Sequence, residues 1–257
     1  MTINQELMRK KLESLKTNGK SDKKESPFFK PAAGDQDVRF LPSDDGDPFK
    51  EYHFHYNLGE AFLCPKRNFN EKCSVCDYAF DLWKEGTDES KKMAKNIFAR
   101  QRFFSNVIQR GNEALGPKPY GYGKETYEQL IETVLDPDYG DITDAEEGRD
   151  FKLNYKLAEK KGSFPKTKLT VKPKQTPIAK SKKEIKEVLE KAKPISSFLV
   201  RKTTEEVKAA LEAFLDDPFA DEGVKKYGGG SPETSSETDA GSGEINSVDD
   251  AIEELTR

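Results

Sequence analysis

"LCPKRNFNEKCSVCDYAFDLW", residues 63–83, holds all three cysteines of the 257-residue chain, Cys64, Cys73 and Cys76. An odd number of thiols cannot pair fully as disulfides. Cys73 and Cys76 form a C-x-x-C knuckle, the spacing that lets two thiolates from one tight turn hold one tetrahedral ion. Cys64 adds a third donor from the strand that precedes the turn. The chain has two histidines, His53 and His55, and both lie just upstream in "EYHFHYNLGEAFLC". A hairpin turning at "NLGE" carries one of them back beside Cys64. Both face the same side of a strand, so periodicity does not choose between them. His55, the nearer to the turn, is preferred. The expectation is one structural Zn2+ held by His55, Cys64, Cys73 and Cys76, with four protein ligands and no open position for water. Buried structural thiols or a redox dithiol are the competing readings. A redox site lacks its βαβ context, and every Cys and His of a long chain falls between positions 53 and 76.

Outward from the cluster, 34% of residues are apolar and 35% charged, so much of the length is expected to be surface, arm or tail. No apolar run reaches the roughly 20 residues of a membrane span, and the start shows no apolar signal region. The protein is read as intracellular, where clustered cysteines favour metal over disulfides. The net charge of −4 hides an asymmetry: residues 1–30 carry eight Lys/Arg against four Asp/Glu, and residues 216–257 carry three against twelve. Such like-charged blocks serve as tails rather than core.

Residues 3–16 read as a short basic amphipathic helix, followed by a linker, so a folded body is expected from about residue 27 to 215. Strands are expected at "DVRFLP", "EYHFHYNL" and "EAFLC", then a helix from "CDYAFDLWKE" stopped by Gly86. "KKMAKNIFARQRFFSNVIQRG" starts helical and turns into a strand. "KETYEQLIETVLDP" is an amphipathic helix with Tyr127, Leu130, Ile131 and Val134 on one face, ended by Pro137. "RDFKLNYKLAEK", with Phe151, Leu153, Tyr155 and Leu157 alternating, pairs with "KTKLTVKP", and two helices follow. The body is therefore α+β. Residues 228–247 are Gly/Ser/Thr-rich and expected to be disordered. "INSVDDAIEELTR" then restores helical spacing at Ile245, Val248, Ile252 and Leu255, an acidic peptide suited to a basic, partly apolar groove.

"ARQRFFSNVIQR" interleaves Arg100, Arg102 and Arg110 with Phe103 and Phe104. "GPKPYGYGK" adds Lys118, Tyr120, Tyr122 and Lys124, and Lys66 and Arg67 sit beside the metal knuckle. Cations that track phosphates together with aromatic faces on which unpaired bases stack are the requirements of single-strand binding. Adjacent phenylalanines point to opposite faces of a strand, so one of the pair is expected in the core. Nothing points to catalysis: there is no Gly-rich phosphate loop, no G-x-S-x-G elbow and no histidine outside the metal site.

The basic arm, "VRFLPS", the His…Cys…Cys-x-x-Cys cluster, "RFFSNVI" and the acidic tail together resemble the single-stranded DNA-binding, helix-destabilising protein of T-even-like bacteriophages. The resemblance implies an OB-fold-like β-barrel core, a small zinc-binding subdomain at about 50–85 and a basic, aromatic-lined cleft. It also implies sequence-independent, cooperative binding of single-stranded DNA in replication, recombination and repair, at the replication fork in the host cytoplasm. Arg9, Lys10 and Lys11, with Ser14, take the place of the family's basic arm, through which protomers self-associate along the strand. Phe103 and Phe104 match its paired aromatics, and Tyr120 and Tyr122 its next aromatic segment. The acidic tail is expected to compete for the cleft or to recruit replication and recombination proteins. A zinc-containing protein–protein adaptor and an RNA-binding regulator are the alternatives.

Overall fold

The computed structural model describes residues 26–158 and 164–216. The expected arm (1–26, with Arg9, Lys10 and Lys11) and tail (216–257) fall almost wholly outside the described residues, as does most of the turn "KKGSFP".

The body is mixed α and β, built on a seven-stranded sheet in which every pairing is antiparallel. Its strands are β1 (Gly34–Phe40), β2 (Lys50–His55), β3 (Phe62–Leu63), β4 (Arg100–Gln109), β5 (Lys118–Tyr122), β6 (Arg149–Lys156) and β7 (Lys166–Gln175). The central strand is β4. Its first half pairs with β2, its last residues with β1, and its middle with β5. Because Phe103, Phe104 and Val107 are shared between β5 and one of the others, β1 and β2 lie end to end along one edge of β4 and β5 occupies the other. The sheet continues from β1 through β6 to β7.

Period-2 alternation separates two faces. One buries Val38, Phe40, Phe103, Val107, Tyr120, Tyr122, Phe151, Leu153 and Leu169 in the main core. Phe40 is fully buried and meets Phe151 edge to face at 5.3 Å. Helix α4 (Lys124–Leu135) closes this core with Leu130, and Tyr127 stacks on Phe103 at 3.9 Å. Val134, expected on the same face, is 39% exposed near the helix end, and Leu157, one residue past β6, is 63% exposed.

The closed barrel implied by the resemblance is not formed: among the described residues no ladder joins β5 to β7, and the sheet stays open. Side chains span the gap instead. The Tyr120 phenol meets Thr167, and Gln129 on α4 accepts from the Leu169 amide.

Between β3 and β4 the chain forms a second body from α1 (Pro65–Phe69), α2 (Ser74–Glu85) and α3 (Asp88–Ile97). Gly86, in the left-handed region at φ 83°, stops α2 where the sequence predicts. Val75, Ala79, Ala94, Ile97 and Phe98 make a separate core around the cysteines, capped by Val207 and Leu211 of α6 (Thr204–Asp216), the last helix among the described residues. Helix α5 (Lys182–Lys191), held by a Ser181–Glu184 capping box, covers Leu41 and Ile108 on the opposite sheet face.

A buried ionic knot ties the sheet to its loops. Arg39 is fully buried, donates to the Asp144 carbonyl at 2.6 Å and lies 3.4 Å from Asp150. Asp150 is shared with Arg110, which also donates to the Pro177 and Ile178 carbonyls. Burial pulls the Arg39 guanidinium down to about 10, opposed by Asp150.

Candidate metal centre and nucleic-acid interface

The C-x-x-C spacing acts through a helix start. Cys73 is the N-cap of α2 and Cys76 sits one turn on, so both thiols project to one side. Cys64 is likewise the N-cap of α1, and its Sγ accepts from the Arg67 amide at 3.4 Å. Helix N-termini favour thiolate over thiol. The β2–β3 hairpin supplies the fourth donor: Phe54 pairs with Leu63 and His55 with Phe62.

His55, Cys64, Cys73 and Cys76 bring one ligand atom each within 4.8 Å of one another, and all four are buried. Cys64 and Cys76 Sγ are 3.4 Å apart, and His55 Nε2 lies 3.3 Å from Cys73 Sγ and 3.5 Å from Cys76 Sγ. A tetrahedral ion with zinc-like bonds separates its ligands by about 3.5–3.8 Å. The donor set fits such a cation. The neighbouring sulfurs drive the Cys73 thiol far down and the Cys76 thiol far up, since adjacent thiols do not all ionise together. His55 is raised to about 10: burial opposes its charge, and Cys64 and Cys73 outweigh that by stabilising the imidazolium.

His53 lies apart. Its backbone faces Cys64, whose amide donates to the His53 carbonyl at 2.8 Å, but its ring lies 3.8 Å from Glu51. Asn68 fastens this corner: its side chain accepts from the His53 amide and donates to the His53 and Cys64 carbonyls.

The sheet face opposite the main core carries the second feature. In β2–β4 register, Lys50 sits across from Phe104, Tyr52 from Arg102 and Phe54 from Arg100, so these six side chains share one face. Phe104 packs with Phe28 and Phe54, and Tyr52, Tyr56, Phe69 and Phe198 join the cluster. Above them opens a concave groove lined by Phe54, Tyr56, Arg102, Phe104, Phe198 and Leu199 among others. Gly121 lies across from Phe104, and a Cβ there would stand 2.8 Å from the ring, so the glycine makes room for it. Burial raises the Tyr56 phenol, partly countered by Arg102 beside it. On the metal-body side, the Arg201 guanidinium lies 4.0 Å over the Phe69 ring and pairs with Glu71 at 2.7 Å. Helix α1, which starts from its N-cap Cys64, carries Phe69 to the aromatic cluster beside the groove.

The sequence-predicted contacts divide accordingly. Arg100, Arg102 and Phe104 share the groove face. Phe103, Tyr120 and Tyr122 do not: they are 2–3% exposed inside the main core, and Tyr122 is hydrogen-bonded to Ser105 at 2.7 Å. As placed they offer no ring face to a base, because a strand sends neighbouring side chains to opposite sides and these point inward. Lys66 and Arg67 are half-buried on α1, Lys66 lying 3.6 Å from Asp77. Lys118 borders a different depression with Ser26, Phe29, Lys30 and Leu115. Tyr52, Phe54 and Tyr56 were missed, although their spacing of two in "EYHFHY" is a legible signal. Phe69, Phe198 and Arg201 converge from distant segments and carry none.

An antiparallel sheet that gathers aromatic rings and guanidinium groups on one face, beside four side chains placed to hold a metal ion, fits a nucleic-acid-binding protein. The chain belongs to the gp32-like DNA-binding proteins: residues 32–216 match the family described as gp32 DNA binding protein like. A comparison with curated proteins gave no match.

Proposed function

We propose that the protein binds single-stranded DNA without regard to sequence, cooperatively, in phage replication, recombination and repair. The observation that carries this reading is the shared face of β2 and β4, where Arg100 and Arg102 alternate with Phe104 and lie across from Tyr52 and Phe54. Phe54 and Phe104 are buried beneath that face. The half-buried rings packed on them, Tyr52 and Tyr56, stack unpaired bases while the guanidinium groups track phosphates; a duplex hides its base faces. The open, curled sheet takes the part of an OB-fold-like barrel, with the groove on its outer face. The cluster of His55, Cys64, Cys73 and Cys76 holds one structural zinc ion; the ion supplies a cross-link that fixes α1 and α2 against the β2–β3 hairpin. Residues 1–26, through Arg9, Lys10 and Lys11, mediate self-association along the strand. Residues 216–257 recruit replication and recombination proteins or compete for the groove.

Among the described residues no helix is long and apolar enough to cross a membrane. Fluorescence anisotropy with labelled oligo(dT) and a matched duplex, at low and high salt, tests the reading. A single-strand preference that weakens steeply with salt is expected from counterion release. Equal binding to duplex, or binding indifferent to salt, would overturn it.

A further inference from the structure

We propose that the β6–β7 hairpin carries a second contact site for the backbone of single-stranded nucleic acid, separate from the groove; this rests on the DNA-binding reading above. In the β6–β7 ladder, Phe151, Leu153 and Leu169 face the core, so their neighbours face outward. On that outer face Lys152 is across from Thr170, Asn154 from Lys168 and Lys156 from Lys166. Two lysines of this face have acidic partners: Lys152 meets Asp35 at 2.6 Å and Lys172 meets Asp37 at 2.5 Å. Lys156, Lys166 and Lys168 are exposed and make no ion pair among the described residues.

Lys156 directly opposes Lys166, and like charges in cross-strand register are unfavourable. Lysines on an edge strand guard against edge-to-edge pairing, and β7 is an edge, but β6 is an interior strand whose pairing with β1 runs to Tyr155, the residue before Lys156. An anion seated between the two strands removes the repulsion. Lys166 and Lys168, two residues apart on one side of an extended strand, are about 6.8 Å apart, comparable to successive phosphates of an extended single strand. Phe164, just before Lys166, is 42% exposed, an aromatic surface for an unpaired base.

This face is on the same side of the sheet as Arg102 and Phe104; counted across the strands, β7 is three spacings from β4, or about 14 Å. Lys166 and Lys168 are displaced further along the strand direction, opposite the β6 residues that lie beyond the β1–β4 ladder. Only a strand long enough to leave the groove reaches it. The test is the full chain carrying Lys156→Gln, Lys166→Gln and Lys168→Gln, titrated with oligo(dT) of about 8 and about 16 nucleotides, the range of site sizes for such folds. On the short oligonucleotide the variant should match the unmodified protein. On the long one, its slope of log K against log salt should flatten by about 2, at roughly 0.7 per lost phosphate contact. Unchanged slope and affinity on the long oligonucleotide, with normal binding by the unmodified protein, would overturn this inference alone. Failure of the unmodified protein to bind either length would overturn the groove reading and this with it. The triple substitution is repeated in a full chain with Asp249→Asn, Asp250→Asn, Glu253→Gln and Glu254→Gln. Persistence of its effect there supports a nucleic-acid site, and disappearance assigns the lysines to the acidic segment, against the proposal.

Discussion

His55 Nδ1 lies 2.8 Å from the carbonyl oxygen of Ile97, the last residue of α3. A carbonyl only accepts, so Nδ1 carries a proton, and Nε2 is the ring nitrogen that faces Cys73 and Cys76. Such a bond from the outer ring nitrogen fixes the tautomer of a metal-ligating histidine. The first strand pair and the third helix are thereby joined through one imidazole.

His55→Ala should abolish stoichiometric zinc, with a loss of affinity beyond the roughly 10–100-fold that follows removal of an outer partner. His53→Ala should keep the metal, because its ring lies by Glu51. Metal analysis of both purified variants decides the matter, and stoichiometric zinc in the His55 variant would refute the assignment. Chelation should lower the thermal midpoint of the unmodified protein but not of His55→Ala.

Tyr120 and Tyr122 should report the core rather than the groove. Burial raises the Tyr120 phenol from 10.0 to about 12, Thr167 opposing, and raises Tyr122 further. Since each folded value exceeds the unfolded one, the stability they confer is complete below pH 10. It is lost as pH climbs through 12. An ultraviolet phenolate titration should show tyrosines that ionise only as the protein unfolds.

Groove substitutions should act on DNA rather than on folding. Tyr56→Ala should cost about 1–3 kcal/mol of single-strand affinity if one base stacks there. Arg102→Gln should reduce the salt slope by about 0.7. Anisotropy titrations across a salt series measure both, and normal binding by both variants would place the DNA elsewhere.

Gly121→Val should displace the Phe104 ring, which a Cβ would approach to 2.8 Å. Overpacking of this kind costs about 1–3 kcal/mol. Denaturant melts should register that cost, and single-strand affinity should fall because Phe104 lines the groove.

Asp150→Ala should leave Arg39 buried without its carboxylate and cost about 3–5 kcal/mol. Urea unfolding of the full chain measures it. Arg110→Gln should cost less, since Arg110 is half-buried and water reaches the site it vacates.

The elements legible in the sequence were those whose signal is local. Apolar spacing marked α4, alternation marked β6 and β7, Gly86 stopped α2, and the Cys and His content marked the metal cluster. The family resemblance matches Phe103 and Phe104 together to cleft aromatics, while strand alternation sends one of them to the core; only Phe104 reaches the groove face. Alternation says that two neighbours part company but not which one faces the core. That is decided by α4, whose Tyr127 stacks on Phe103.

By itself the sequence determined the donor set, the knuckle spacing, the charge asymmetry and the α+β class, because each depends on residues near one another in the chain. The tertiary structure decided which histidine joins the cysteines, since the Ile97 carbonyl that orients His55 comes from 42 positions away. It also left the sheet open, gathered Phe69 and Phe198 into one aromatic cluster beside the groove and set Arg201 over Phe69. Those outcomes depend on strand register and helix docking, and both are set by contacts between residues far apart in sequence.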